Sequence, residues 1–327
     1  MMNVKNFYWV VFIAAAIWSC KSDDDSGPPQ PERVPPRLLS EQVNEDDAEI
    51  VAFLKSHFYN YEEFQSPADD FDYQIRFDTI AGNNADKISI FDSPNLITET
   101  IKVSSESFGR TDGEEIDHVL YVLMARQGAS DKTPSIGDNV ILRLEGFVLN
   151  GNLFESVINQ PTKINLSVLG DGGFNTYGLG RGMQYFKTGT DPVENGDGTF
   201  SYQGYGIGAI FMPSGLGYFS QPISNLVPPY APLVFKVDAF SYEPNTDLDG
   251  DGIPSILEDV NNNGNLNDDN TDSEDEVRSF IPNYQDADDD NDGIPTIEEI
   301  NLKEDGSYDS FRFTDDDDIP DHLDIDS

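Results

Sequence analysis

Over the middle of the chain, apolar and polar positions alternate with a period of two. Val140, Leu142 and Leu144 are interleaved with Ile141, Arg143 and Glu145, the spacing of a strand that buries one face. Asn150-Gly151 follows and supplies the positive φ angles of a tight hairpin turn. Phe154 and Glu155 are therefore expected on a return strand. His118 to Leu123 predicts a further strand. Nearer the front the period changes. Ile50, Phe53, Leu54 and Phe58 share one helical face, and Asn44 followed by Asp47 marks a helix start, which predicts a helix over 45–58. His57 stands beside that face and is expected to be half-buried rather than a ligand. Residues 71–103 mix short strand-like runs with Asp and Asn and carry no legible function. Residues 190–208 are rich in Gly and Asp, with Phe200, Tyr202 and Tyr205 interspersed. They read as a long Gly-rich loop, and long loops are often mobile or functional.

The two ends differ from this pattern. Lys5 precedes an apolar run from Phe7 to Trp18, too short for a typical membrane-spanning helix and of the length of a targeting segment. The run ends at Ile17-Trp18-Ser19-Cys20, and Cys20 is the only cysteine, so no intramolecular disulfide forms. Pro28 to Pro36 reads as linker. The net charge is −42, and residues 247–327 hold 28 acidic side chains against three basic ones, Arg278, Lys303 and Arg312. Such a chain repels nucleic acid and attracts divalent cations.

Spacing gives the acidic end a chemistry. Asp247, Asp249 and Asp251 precede Gly252, with Glu258 at the twelfth position. Asp288, Asp290 and Asp292 precede Gly293, with Glu299 at the twelfth. Carboxylates at positions 1, 3 and 5 converge on one ion, Gly at 6 allows the sharp turn, and the position-12 Glu closes the shell, so structural Ca²⁺ is the expected ligand. Asp259 to Gly264 is a weaker, Asn-rich turn, and Asp315 to Asp318 with Asp324 is a degraded fourth. Gly-Ile-Pro recurs at 252–254 and 293–295, and no amphipathic helix joins the loops, unlike paired EF-hands. The segment resembles thrombospondin type 3 repeats, in which Ca²⁺ replaces a hydrophobic core.

Three blocks carry a second resemblance. Gly137 to Ser156, Ile210 to Tyr218 (IFMPSGLGY) and Val227 to Val237 (VPPYAPLVFKV) are similar, in order, to the signature of FKBP-type peptidyl-prolyl cis-trans isomerases. That resemblance implies an aromatic pocket for a prolyl ring. Phe154 and Phe235 would be its walls and Tyr218 a hydroxyl donor to a substrate carbonyl. Glu155, standing where the family has Asp, would accept from a pocket partner, and Val227 would sit on the closing loop. Such catalysis needs no nucleophile or metal, only preference for the twisted amide over the planar one. Two departures stand out. Leu144 occupies a usual Tyr position. Both tryptophans, Trp9 and Trp18, precede Cys20, so Leu179, with Thr176 on the same segment, is expected in place of the family's floor Trp. Ile17 to Cys20 resembles a bacterial lipobox, which implies lipidation of Cys20, and the acidic run Asp23 to Asp25 after it resembles the signal that sends lipoproteins to the outer leaflet in some Gram-negative lineages, or equally a solvated linker.

The expected organisation is a lipoprotein signal peptide (1–19), an acidic and Pro-rich linker (20–43), an N-terminal extension (44–115), an FKBP-like domain (116–243) and Ca²⁺-binding repeats (244–327). The fold class is α+β: an antiparallel half-barrel sheet with a short helix, preceded by a small helix-containing extension and followed by a loop-rich, Ca²⁺-binding stalk. The expected function is prolyl isomerisation in the cell envelope by a monomeric outer-membrane lipoprotein acting on proline-containing polypeptides. The alternatives are a non-catalytic peptide-binding module and an adhesive surface protein.

Overall fold

The computed structural model describes residues 36–272, 281–315 and 317–327. The expected signal peptide, Cys20, most of the linker and Arg278 lie outside the described residues.

Helix α1 spans Leu39–Ser56 and so begins before the expected residue 45. No local side chain caps it. Glu114, distant in sequence, instead accepts from the Leu39 N–H at 3.0 Å and from the Ser40 hydroxyl. A carboxylate there satisfies N-terminal donors and meets the positive end of the helix dipole. Asn44 sits inside the helix and donates to the Ser40 carbonyl at 2.8 Å. After α1 come β1 (His57–Tyr59), α2 (Tyr61–Gln65) and β2 (Phe77–Thr79), with β1 and β2 paired antiparallel. His57 is half-buried, as expected.

The main sheet has six strands: β3 (Leu96–Ser104), β4 (Glu115–Arg126), β5 (Asn139–Val148), β6 (Leu153–Asn165), β9 (Gly206–Met212) and β10 (Leu233–Glu243). Their spatial order is β3-β4-β9-β10-β5-β6, and every pairing is antiparallel. The β5–β6 hairpin turns where expected, with Gly151 at φ 89° and its N–H on the Val148 carbonyl at 2.8 Å. Along β5, buried and half-buried positions alternate without a break. Strand β9 is buried at all seven positions, because both of its faces are covered. Ile210 and Met212 point into the larger core with helix α3 (Tyr177–Met183), and Ile207, Ala209 and Phe211 face α1 through Ile50 and Leu54. The extension is therefore part of the sheet domain: β3 pairs with β4 across the expected boundary at 116.

Helix α3 packs closely because its glycines leave room. A Cβ on Gly182 would fall 2.7 Å from Ile210, and one on Gly180 2.4 Å from the Leu166 carbonyl. The Gly-rich segment folds as a small hairpin, β7 (Val193–Glu194) with β8 (Phe200–Ser201). Its following residues Tyr202 and Tyr205 pack on Phe240 at 4.8 and 4.6 Å, farther along β10 than Phe235.

The repeats do not stand off as a stalk. Leu266 and Tyr284 are fully buried in the main core. The Tyr284 hydroxyl donates to Asn267 Oδ1 at 2.9 Å, and Asn267 donates to the Ser167 carbonyl at 3.0 Å. Arg181 of α3 donates to the carbonyls of Asn263 and Gly264, each at 3.1 Å. A hairpin not foreseen from the sequence, β11 (Ile300–Leu302) with β12 (Tyr308–Phe311), follows the second acidic loop.

Candidate prolyl pocket and candidate metal loops

The three sequence blocks converge. Phe154, on β6, meets Phe235, on β10, edge to face at 5.6 Å, and Tyr218 at 6.1 Å. Gly146 of β5 makes this possible. A Cβ there would lie 2.7 Å from the Phe154 ring and 3.0 Å from that of Phe235. Phe235, Leu179 and Val227 are buried in the core beneath, while Phe154 and Tyr218 are only partly covered. The exposed part of the candidate pocket is thus a Phe154–Tyr218 pair over a Phe235 floor. Leu179 lies inside α3, fully buried, with its N–H received by the Thr176 hydroxyl at 3.2 Å.

Two expected roles change. The Tyr218 hydroxyl donates to the Phe174 carbonyl at 2.7 Å, so in this state it is not free for a substrate. Burial pushes its pKa up, and the Glu155 charge adds to the shift. The Glu155 carboxylate accepts from the adjoining Ser156 N–H at 2.9 Å rather than from a pocket partner, because β6 is an edge strand and the side chain is only half-buried.

Sequence reasoning missed what holds the loop that bears Tyr218. Asp46 of α1 is 1% exposed. Its Oδ2 accepts from the Ser214 N–H at 2.7 Å and from the Ser214 hydroxyl at 2.6 Å, and its Oδ1 from Gln42 at 2.6 Å. Burial raises the pKa of this carboxyl, against those three hydrogen bonds. A few residues on, Phe219 adopts φ 44°, a left-handed conformation that costs of order 1–3 kcal/mol unless its surroundings hold it. Here the Ser214 carbonyl accepts its N–H at 3.0 Å, and Phe108 and Tyr230 flank its ring at 4.4 and 5.0 Å. No local signal could have found it, because the partners Asp46 and Ser214 are 168 residues apart in the chain.

The acidic loops share one backbone form. Position 6 has positive φ in all four turns: 97° at Gly252, 77° at Gly264, 96° at Gly293 and 70° at Asp318. The position-3 carboxylate accepts from the N–H two residues on, at 3.2 Å for Asp249, 3.1 Å for Asp290 and 3.1 Å for Asp315. Asp251, Asp292 and Asp317 repeat this one step later at 2.7, 2.6 and 2.8 Å. These turns bring one oxygen each of Asp247, Asp249 and Asp251 within 4.8 Å of one another, and the same holds for Asp288, Asp290 and Asp292 and for the exposed set Asp315, Asp317 and Asp324.

Buried oxygens without a hydrogen-bond partner remain on Asp249, Asp251, Glu258, Asp288, Asp290 and Glu299. Burial foremost, with neighbouring carboxylates adding to it, pushes Glu258 up to about 11, Asp249 to about 8 and Glu299 to about 7. Among the described residues the only ion pair within the repeats is Arg312 with Asp321, at 2.7 Å. Converging, unpaired, all-oxygen donors suit a hard divalent cation such as Ca²⁺. Asp247, Asp249 and Asp251 would hold it in the first loop and Asp288, Asp290 and Asp292 in the second; of the two position-12 residues expected to close these shells, Glu258 groups with Asp251 and Asp289, and Glu299 keeps a buried oxygen without a partner. Ca²⁺ would supply the positive charge these loops lack.

The family model described as BamM C-terminal matches residues 248–314, which span both complete loops. No curated protein is similar to the chain in sequence. Among solved structures, a peptidyl-prolyl cis-trans isomerase of Pseudomonas syringae pv. tomato is similar at 16% identity and a TM-score of 0.31, over 46% of this chain and 83% of that one. The three FKBP domains of wheat FKBP73 are similar at 14% identity and a TM-score of 0.30, over 39% of this chain and 46% of that one.

Proposed function

We propose that the sheet domain is an FKBP-like prolyl-peptide module that rotates X-Pro bonds, carried on an outer-membrane-associated lipoprotein whose repeats, similar to thrombospondin type 3, are stabilised by Ca²⁺. The observation that carries the first part is the meeting of Phe154, Tyr218 and Phe235 from three separate sequence blocks. A prolyl ring seated against Phe154 and Tyr218 would leave water, and the neighbouring amide would twist in a poorly solvated place. The match to the BamM C-terminal family over 248–314 supports the outer-membrane setting.

The test is a protease-coupled prolyl-peptide assay on the protein lacking residues 1–19. Acceleration over the uncatalysed rate is expected. Tyr218→Phe removes one neutral hydrogen bond, worth about 0.5–1.5 kcal/mol net, and should lower the rate about tenfold or less. A wild-type rate equal to background would leave the second reading, a module that holds extended prolyl segments without turning them. The Tyr218–Phe174 hydrogen bond favours that reading, because it occupies the donor that a catalytic role would need.

The anchor has its own test. Cys20→Ser should abolish fatty-acid labelling in the native host and leave the precursor uncleaved after Ser19. Equal label in the variant would rule lipidation at Cys20 out.

A further inference from the structure

We infer that Asp251, Glu258 and Asp289 together hold a further hard divalent cation, of the Ca²⁺ class, between the two acidic loops. This rests on the reading of the loops as Ca²⁺ sites and adds to it a shared ion, held by positions 5 and 12 of the first loop and by position 2 of the second.

One carboxylate oxygen from each of the three residues lies within 4.8 Å of the other two. That spacing suits Ca²⁺, which places ligand oxygens at about 2.3–2.6 Å and opposed ligands about twice that far apart. The three side chains come from both repeats and are among the most enclosed acids in the molecule, with Asp251 2%, Glu258 3% and Asp289 2% exposed. Both oxygens of Glu258, both of Asp289 and Oδ2 of Asp251 are buried with no hydrogen-bond partner. Leaving buried charges unpaired is costly, and a cation among these carboxylates would supply the pairing that no hydrogen bond here does.

Asp289 sets this cluster apart from an acidic loop seen in isolation. It occupies position 2 of the second loop, which is not a ligand position of that loop. In the first loop the equivalent residue is Leu248, packed against the core of the sheet domain. Both positions are held alike: the Leu248 N–H donates to the Ser255 hydroxyl, and the Asp289 N–H to that of Thr296, each at 3.2 Å. Position 2 therefore faces the preceding layer in both loops. For the first loop that layer is apolar, and Leu fits it. For the second it is the ligand end of the first loop, and the residue there is a carboxylate. The contact is tight elsewhere too, since a Cβ on Gly252 would meet Ile300 at 3.0 Å and Ile297 at 3.4 Å. Asp251 belongs to both its own loop's cluster and the shared one, so it can bridge two ions.

The experiment titrates Ca²⁺ into the protein lacking residues 1–19, by calorimetry and native mass spectrometry, for wild type and Asp289→Asn. The variant should bind one Ca²⁺ fewer and keep the loop sites. Thermal melts separate a ligand from a packing residue. With chelator, Asp289→Asn should melt at or above the wild-type temperature, because it removes a buried charge. With Ca²⁺ its melting temperature should rise less than that of wild type. Unchanged stoichiometry with an unchanged Ca²⁺-induced rise would overturn the shared site and leave the loop sites standing. Equal destabilisation with and without Ca²⁺ would also overturn it, as the mark of packing alone. A wild type that binds no Ca²⁺ would remove the loop reading and this one together. If Asp289→Asn does not fold, Asp289→Leu, which carries the side chain found at the equivalent position of the first loop, gives the same comparison with the same outcomes.

Discussion

Phe235→Ala should be the most damaging single truncation in the candidate pocket, costing ~3–5 kcal/mol. Its ring is fully buried, touches Phe154 and sits under a glycine that cannot fill the space left behind. Whole domains have only about 5–15 kcal/mol in hand, so the urea midpoint of the variant should fall sharply. A loss under about 1 kcal/mol would mean that the β5–β6–β10 corner is not the packed core described above. Any fall in isomerase activity must be read against this loss. Tyr218→Phe disturbs the packing less, because it keeps the ring beside Phe154 and removes only the hydroxyl that donates to the Phe174 carbonyl.

Removing divalent cations should destabilise the region from 247 onward by a comparable amount. A site held at a hundredfold excess over its dissociation constant contributes ~2.7 kcal/mol, so the two complete loops together would contribute about 5 kcal/mol. The repeats have little else to rely on: 28 acidic side chains face three basic ones, and their deeply buried apolar residues are few, Ile253, Leu266, Tyr284 and Ile300. With chelator, limited proteolysis should cut within 247–327 and spare the sheet domain. With ~10 mM Ca²⁺, about a hundredfold above the ~10⁻⁴ M of the tighter extracellular sites of this kind, the cuts should disappear. Cleavage at the same rate in both conditions would refute the Ca²⁺ assignment. Leu266 and Tyr284 lie in the main core, so chelation should also lower the melting temperature of the sheet domain modestly. A free-standing stalk would show no such coupling.

Local signals were legible where local physics sets the outcome. The alternation of Val140, Leu142 and Leu144 gave β5 its buried face, and Asn150-Gly151 gave the hairpin, because side-chain period and turn φ are properties of a few consecutive residues. The turns of the acidic loops were legible for the same reason, with positive φ at Gly252 and Gly293. What long-range contacts decide was not. The start of α1 depends on Glu114, the loop bearing Tyr218 depends on Asp46, and Asp289 acquires its surroundings only when the second loop folds onto the first. Leu179 shows the limit of aligning by spacing. It falls in the expected segment, but α3 lies so close to the sheet, with Gly178 and Gly182 against Met212 and Ile210, that the position is sealed. Phe235 is the ring that packs against Phe154, and Leu179 is fully buried inside α3.

The strand order also bears on how the chain is made. Strand β10 lies between β9 and β5, yet it is the last of the six to leave the ribosome. Until residue 243 has emerged, the β5–β6 hairpin has no partner to join it to β3, β4 and β9. The first two-thirds of the nascent polypeptide is therefore a pair of unfinished half-sheets, each with an open edge able to pair with a neighbouring chain. Sheets closed by such distant pairings fold in milliseconds to seconds rather than microseconds. Synthesis and folding of this domain are thus separated in time. The interval is one in which a chaperone has a template to shield.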